Sequence, residues 1–435
     1  MIIETGGIVT VTGAHGHSIP VTVNGAIAFT LAQAYRDAVN NATSLSVTPG
    51  DTVSGASVNE FVAGSGGAYT YPLGEDHFTT DTTSQVTINA SAQPSTVVLE
   101  SLVGTGGAWY IGGHESGTFI AGGGDNLFVG QSTGNYEIAT SNGNDTIYGG
   151  TGSVYIAAGT GDNTVVVGNG SDTVSSTGVD QINAGTGSDQ IFIFDEDSIL
   201  RGSTGELNVL DSGLKTTITG AYGTTTVDAR GSTDGLYTLN GNSTVMGGGD
   251  DTVNAGGGSD ASMLFIAKAS TTSFINGGDE PTSVVGAAGS RVVVTGDVLV
   301  TTAAGQETID GSGSTGNMTM FMSNQFTGSA VSISGGSGND TLVAGNGSQT
   351  LTGGAGANDF VLAQNGTLGV AQITISDFST TDLTSLYGYG ANEVATALST
   401  AVTAGGSTTI TLGDSSKVTF LGVQHLNASQ FVGDK

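Results

Sequence analysis

The chain has 435 residues, of which 38 are acidic and only 8 are Lys or Arg, for a formal net charge of −30. That balance repels phosphate, so it excludes nucleic-acid binding and disfavours an anionic membrane surface. The absence of cysteine rules out disulfides and thiolate metal sites. With 74 glycines and few aromatics, many thin layers are expected rather than one thick core. Carboxylates without bases to pair with predict a hard cation as their partner.

In chain order, the start Met1-Ile-Ile-Glu-Thr-Gly-Gly lacks the basic and apolar regions of a cleaved leader. No apolar run approaches the ~18 residues that would span a membrane, so membrane insertion is not expected. If the protein is secreted, it is expected to leave by a route without an ordinary N-terminal signal. Residues 1–118 predict a small β-rich domain with one helix. Phe29, Leu31, Ala32, Tyr35, Ala38, Val39 and Ala42 approximate helical spacing, and Ile8–Thr12 and Ile19–Val23 are strand-like.

Residues 119–196 form the next unit, and within it 121–192 carry a nine-residue period. Each unit is a glycine-rich turn followed by a short β segment with one inward apolar residue. Such periodicity indicates a solenoid, in which one repeat buries its apolar residue only against its neighbours. The stretch 197–334 is looser, with two good units starting at Met246 and Ala255, and reads as an irregular continuation of the stack. Residues 335–364 return to register. Residues 365–435 predict a cap, with a helix from Glu393 to Val402 and a hairpin, Ser407 to Leu412 with Lys417 to Val423, around Gly413-Asp-Ser-Ser.

The sharpest motif is Gly335-Gly-Ser-Gly-Asn-Asp340-Thr-Leu-Val343. Glycines permit positive φ and expose carbonyl oxygens. Calcium takes six to eight oxygens, and aspartates do not stack without a cation between them. Binding and folding are therefore expected to be one event. This nonapeptide, GGxGxDxUx with U a large apolar residue, resembles the calcium-binding repeat of the RTX (repeats-in-toxin) family. The resemblance implies a parallel β-roll in which each turn stacks on the turn 18 residues later, with calcium between stacked turns. The expected fold class is therefore mainly β, a parallel β-roll or β-solenoid with calcium-binding turns, an N-terminal β-rich domain and a C-terminal cap.

Applied to the sixth position of each repeat, the rule predicts two columns. One holds Asn126, Asp145, Asn163 and Asp180; the other holds Tyr136, Val154, Asp172 and Asp189. Calcium is expected between Asp145 and Asn163, between Asn163 and Asp180, and between Asp172 and Asp189. Further candidates are Asp340 and Asn358, in one column with Gln349 facing the other side, and Asp251 and Asp260, on opposite sides. Tyr136, Val154 and Gln349 replace the ligand residue, so several turns are expected to be metal-free. In the tail, Ile373-Thr-Ile-Ser-Asp377-Phe378-Ser-Thr-Thr-Asp382 resembles the element that follows the last repeats in this family. The resemblance implies a cap and an uncleaved C-terminal signal for type I secretion, hence a secreted, extracellular or cell-surface bacterial protein.

No catalytic constellation is visible. The histidines, 15, 17, 77, 114 and 425, do not form a zinc-protease motif, since His114-Glu115 has no histidine at 118. Gly130-Gln-Ser132-Thr-Gly134 has the letters of a nucleophile elbow but lies inside the repeats. Asp195, Glu196 and Asp197 are expected in a solvated loop. A non-enzymatic structural protein is expected, assembling as a homo-oligomer or polymer into a fibre, surface layer or biofilm matrix. Residues 1–24 are a candidate donor strand for that assembly. The alternative is an adhesin that binds polysaccharide, with Trp109 beside Tyr110 as stacking residues. A third reading is an enzyme whose site lies in 1–118.

Overall fold

The computed structural model describes residues 7–12, 18–23 and 60–433, apart from breaks at 64–65, 71–76, 81–82, 92–96, 102–105, 113–115, 131–132, 195–196, 203, 257–261, 278–281, 303–304, 323–329 and 365–369. The helix expected over 29–42 lies outside these residues. So do Asp260, His15, His17, His114 and the acidic pair 195–196. The chain divides into two compact units, Met1–Thr226 and Val227–Lys435.

In the first unit, successive strands alternate between two parallel sheets. Tyr136–Ala139 pairs with Val154–Ala158, which pairs with Thr173–Ser176. Between them run the strands of the other sheet, Leu127–Val129, Thr146–Tyr148, Thr164–Val166 and Gln181–Asn183. The nonapeptide explains this alternation. Three residues after each glycine-rich turn are enough for one short rung, and the next turn sends the chain to the opposite sheet. Every second side chain points inward, so the rungs stack into two apolar columns. One column is Phe78, Leu99, Phe119, Ile138, Ile156, Val174, Ile191 and Val209. The other is Ile88, Tyr110, Phe128, Ile147, Val165, Ile182, Leu200 and Ile218. All sixteen are buried. This is a parallel β-solenoid.

The ladder begins well before the first repeat. Glu60–Ala63 already pairs in parallel with His77–Thr80, and Gly67–Thr70 with Val86–Asn89. The coils over 60–118 thus have solenoid pairing without the nonapeptide. Gly7–Thr12 and Ser18–Val23 pair antiparallel with each other, so the candidate donor segment is a hairpin rather than a lone strand.

The second unit repeats the two-sheet plan with uneven coils. Phe265, Val284, Val300, Met320, Leu342 and Phe360 form one inward column. Val292, Ile309, Ile333, Leu351, Ile375 and Phe420 form the other. The irregular stretch therefore continues the stacking through coils of changing length. Its turns absorb the extra residues while the apolar rungs stay aligned.

The unit ends in the expected cap. Ser407–Thr411 pairs antiparallel with Lys417–Phe420, and the latter adds in parallel to Gln372–Ile375. Ser415 takes φ 71 in the connecting turn. Phe420 closes the core against Phe378 (ring centroids 4.9 Å) and Phe431 (6.0 Å). The helix spans Glu393–Ser399, one turn shorter than expected. The Glu393 carboxylate accepts the Gly413 amide at 2.7 Å, tying the helix start to the hairpin turn.

Candidate metal centre

The sixth residue of each repeat sits where a turn enters a strand, with its side chain turned inward and buried. Where that residue is Asp or Asn, it accepts a hydrogen bond from the backbone of the preceding coil. The Ala108 amide donates to Asn126 Oδ1 (2.8 Å), Asn126 to Asp145 Oδ1 (2.8 Å), Asp145 to Asn163 Oδ1 (2.9 Å) and Asn163 to Asp180 Oδ1 (3.0 Å). The Asp180 amide donates in turn to Ser198 Oγ at 3.1 Å. The second column runs from the Val154 amide to Asp172 Oδ1 (2.8 Å), then from the Asp172 amide to Asp189 Oδ1 (3.2 Å). Both columns expected from the 18-residue rule are therefore present, residue for residue.

In the second unit, the Met318 amide donates to Asp340 Oδ1, and the Asp340 amide to Asn358 Oδ1 at 2.9 Å. The column then continues to Asp382, whose Oδ1 accepts the Asn358 amide at 2.9 Å. Sequence reasoning singled out Asp382 only as part of the tail. Its distance from Asn358 is 24 residues, not 18, and a fixed period does not find it. Ser198 was missed for a different reason, since a hydroxyl carries no ligand signal. Gln349 faces the other side, as expected. Its amide accepts from Gly345 and donates to Asn346, holding its own turn. Asp251 is buried, and its Oδ2 accepts the Gly248 amide at 2.8 Å.

Asparagine and aspartate behave differently at this position. An asparagine amide nitrogen donates to the carbonyls of its own turn: Asn126 to Gly122 (3.2 Å) and Gly124 (2.9 Å), Asn163 to Gly159 (3.1 Å). Asn126 and Asn163 also donate to Asp145 and Asp180 at 2.8 Å each. An aspartate has no hydrogen to offer those carbonyls. Asp145 Oδ2 and Asp172 Oδ2 are buried without a hydrogen-bond partner. Thr140 and the Gly168 backbone still lower these two carboxyls, against the larger effect of burial.

Burial sets the electrostatics. It raises the Asp145, Asp172 and Asp340 carboxyls above their ordinary range, against the hydrogen bonds that lower them. Asp180 is pushed up to about 6 by burial, although the Ser176 hydroxyl donates to its Oδ2 at 2.6 Å. Asp189 is also pushed up to about 6, first by burial and then by the charge of Asp172. A buried carboxylate is costly unless it is paired or coordinates a metal.

These residues fit calcium. Asp172 and Asp189 stack two adjacent carboxylates in one column, and buried carboxylate oxygens beside glycine carbonyls are a hard-cation donor set. Asp145 offers a second carboxylate, stacked on Asn126 and Asn163. The Asn163–Asp180 contact, like that of Asn126 with Asp145, is bridged by a direct hydrogen bond. No group of three or more His, Cys, Asp or Glu gathers among the described residues. An ion here would therefore draw on one or two side chains and on backbone carbonyls.

A family model for the RTX calcium-binding nonapeptide repeat matches residues 140–174, 175–192 and 332–363, in four copies. The chain carries RTX repeats. Such repeats bind calcium, and the proteins that contain them are typically secreted by bacteria. The two units starting at Met246 and Ala255 lie outside the matched segments. A search of curated proteins found no match to the chain.

Proposed function

We propose that this RTX protein is a calcium-stabilised, non-enzymatic structural component that self-assembles outside the cell into a fibre, surface layer or biofilm matrix. One observation carries the reading: in both units the described strands are almost all rungs of the stack, so the described chain is scaffold. Calcium would be held by Asp172 with Asp189 and by Asp145, and by Asp340 in the second unit, together with turn carbonyls. Its contribution is to neutralise carboxylates that folding removes from water. In a low-calcium cytosol the repeats would stay loose; outside, calcium at the ~10⁻⁴–10⁻³ M typical of extracellular modules would drive folding. Export by a type I route, with the signal in the C-terminal region, belongs to the same proposal.

The adhesin reading keeps one supporting observation. Trp109 points outward and is 43% exposed, as a sugar-stacking ring would be. Tyr110 does not support it, being buried and stacked on Phe128 at 5.3 Å.

The test is a titration of purified full-length chain with millimolar calcium and then chelator, followed by circular dichroism and negative-stain microscopy together. Calcium-dependent folding with ordered fibres or sheets is expected. Folding to a dispersed monomer would remove the assembly part of the proposal. No response to calcium would remove its metal part.

A further inference from the structure

In the first unit, the sheet that contains Leu127–Val129 has an outer face free of acidic side chains over six rungs, a character it shares with the rungs of the second unit that carry Leu264, Val285, Leu299 and Phe321 outward. From the rung Val86–Asn89 to the rung Gln181–Asn183 the outward side chains are Thr87 and Asn89, Trp109 and Ile111, Leu127 and Val129, Thr146 and Tyr148, Thr164 and Val166, then Gln181 and Asn183, and the next two rungs add Arg201 and Lys215. None is acidic, in a chain with 38 acidic residues against 8 basic ones. Six of them make one apolar patch. Ile111, Val129, Tyr148 and Val166 lie in one row, with Trp109 and Leu127 beside it. Trp109 and Tyr148 are each 43% exposed. The unit's other sheet carries Glu137 and Glu206 on its outer face.

We infer that this face is where a second copy of the chain docks, sheet against sheet. The inference rests on the assembly reading above and names its contact surface. Charge decides the occupant. Two copies of a −30 chain repel each other, and an acid-free face lets them approach without placing carboxylate against carboxylate. The aliphatic side chains Ile111, Leu127, Val129 and Val166 favour a packed protein sheet at ~10 Å spacing over a sugar ring, which wants aromatics and hydrogen bonds.

Size fixes the kind of contact. Four strands at ~4.8 Å spacing, one short strand wide, cover roughly 200 Å² per copy. A stable pair needs about 800 Å² per partner. The face is therefore a weak lateral contact that gains strength by repetition along an assembly.

The test compares wild type, the double variant Val129→Glu with Tyr148→Glu, and the opposite-sheet control Tyr155→Glu. All are full-length and in calcium, followed by sedimentation velocity and negative-stain microscopy. The expected result is that wild type and control assemble, while the double variant needs about tenfold more protein or more to do so. Assembly of the double variant at the wild-type threshold overturns the inference and leaves the assembly reading standing. A wild type that stays monomeric overturns both. Should the double variant lose its β-sheet dichroism, Trp109→Thr with Tyr148→Thr takes its place, since threonine suits a strand; an unchanged threshold there overturns the inference equally. Glycan binding by the monomer that is lost on Trp109→Ala, with assembly unaffected, would assign the face to sugar instead.

Discussion

Residues 136–192 and 263–334 stack in the same way and solve the turn differently. In the first region, the position where turn meets strand holds, except at Tyr136 and Val154, a buried Asp or Asn tied to the neighbouring coil. In the second, the buried polar positions are hydroxyls apart from Glu307: Ser290 Oγ accepts the Ala287 amide of its own turn at 3.0 Å, and Ser314 Oγ donates to the Gly296 carbonyl of the coil 18 residues earlier at 3.0 Å. A hydroxyl is neutral and self-sufficient, whereas a buried carboxylate requires a cation or a proton. The apolar columns are common to both regions and account for the ladder. The acidic column is an addition carried by only part of the ladder.

The largest test of this contrast is calcium withdrawal read by amide hydrogen exchange. Chelation is expected to speed exchange in 136–192 by about a hundredfold or more, the ~2.7 kcal/mol that one ion supplies at 100 times its dissociation constant. Exchange in 263–334 is expected to change by less than about threefold. Equal losses in the two regions would break the comparison, because the hydroxyl turns would then depend on the metal too.

The second test is the sign of the pH dependence. Asp180 and Asp189 are pushed up from 3.8 to about 6 in the calcium-free fold, mainly by burial. A carboxyl with a raised folded pKa binds its proton more tightly in the folded state. Its contribution to stability is thus fully present below about 4 and lost as pH rises through about 6. The chelated protein is therefore expected to gain on the order of a few kcal/mol between pH 7 and pH 4. Calcium needs the ionised form, so the loaded protein should weaken over the same fall in pH. Urea denaturation at both pH values, with calcium and with chelator, checks it. Parallel trends would mean that Asp189 does not bind the ion.

The regular part of this design was legible because its signal is local. The columns through Asp145 and through Asp172 follow from a fixed period and one residue type, and the cap hairpin from its turn chemistry. The coils over 60–118 were not legible as solenoid. Their inward residues, such as Phe78, Ile88 and Leu99, stack as well as Ile138 or Ile147 do, but their turns have no constant length and no glycine–aspartate mark. The 263–334 stretch hides for the same reason. Alignment there is imposed by long-range pairing, which tolerates turns of any length. The contrast between Asn and Asp within a column was also invisible, because it depends on which hydrogen faces which carbonyl.

The smallest effect concerns where the acidic column ends. Asp382 Oδ1 accepts the Asn358 amide at 2.9 Å, and its Oδ2 accepts the Ser379 amide at 2.7 Å. Both bonds use the oxygens as acceptors, and one of them survives in asparagine. If Asp382 closes the column by hydrogen bonding alone, as the hydroxyls of 263–334 do, Asp382→Ala should cost about 1–3 kcal/mol through unpaired buried amides. Asp382→Asn should cost less than half of that. Urea denaturation of the calcium-loaded protein distinguishes the two. An asparagine variant as damaged as the alanine one would show that the charge itself is needed. The last coil would then belong with 136–192 as a calcium-dependent turn, and the metal-free style of turn would be confined to the irregular stretch.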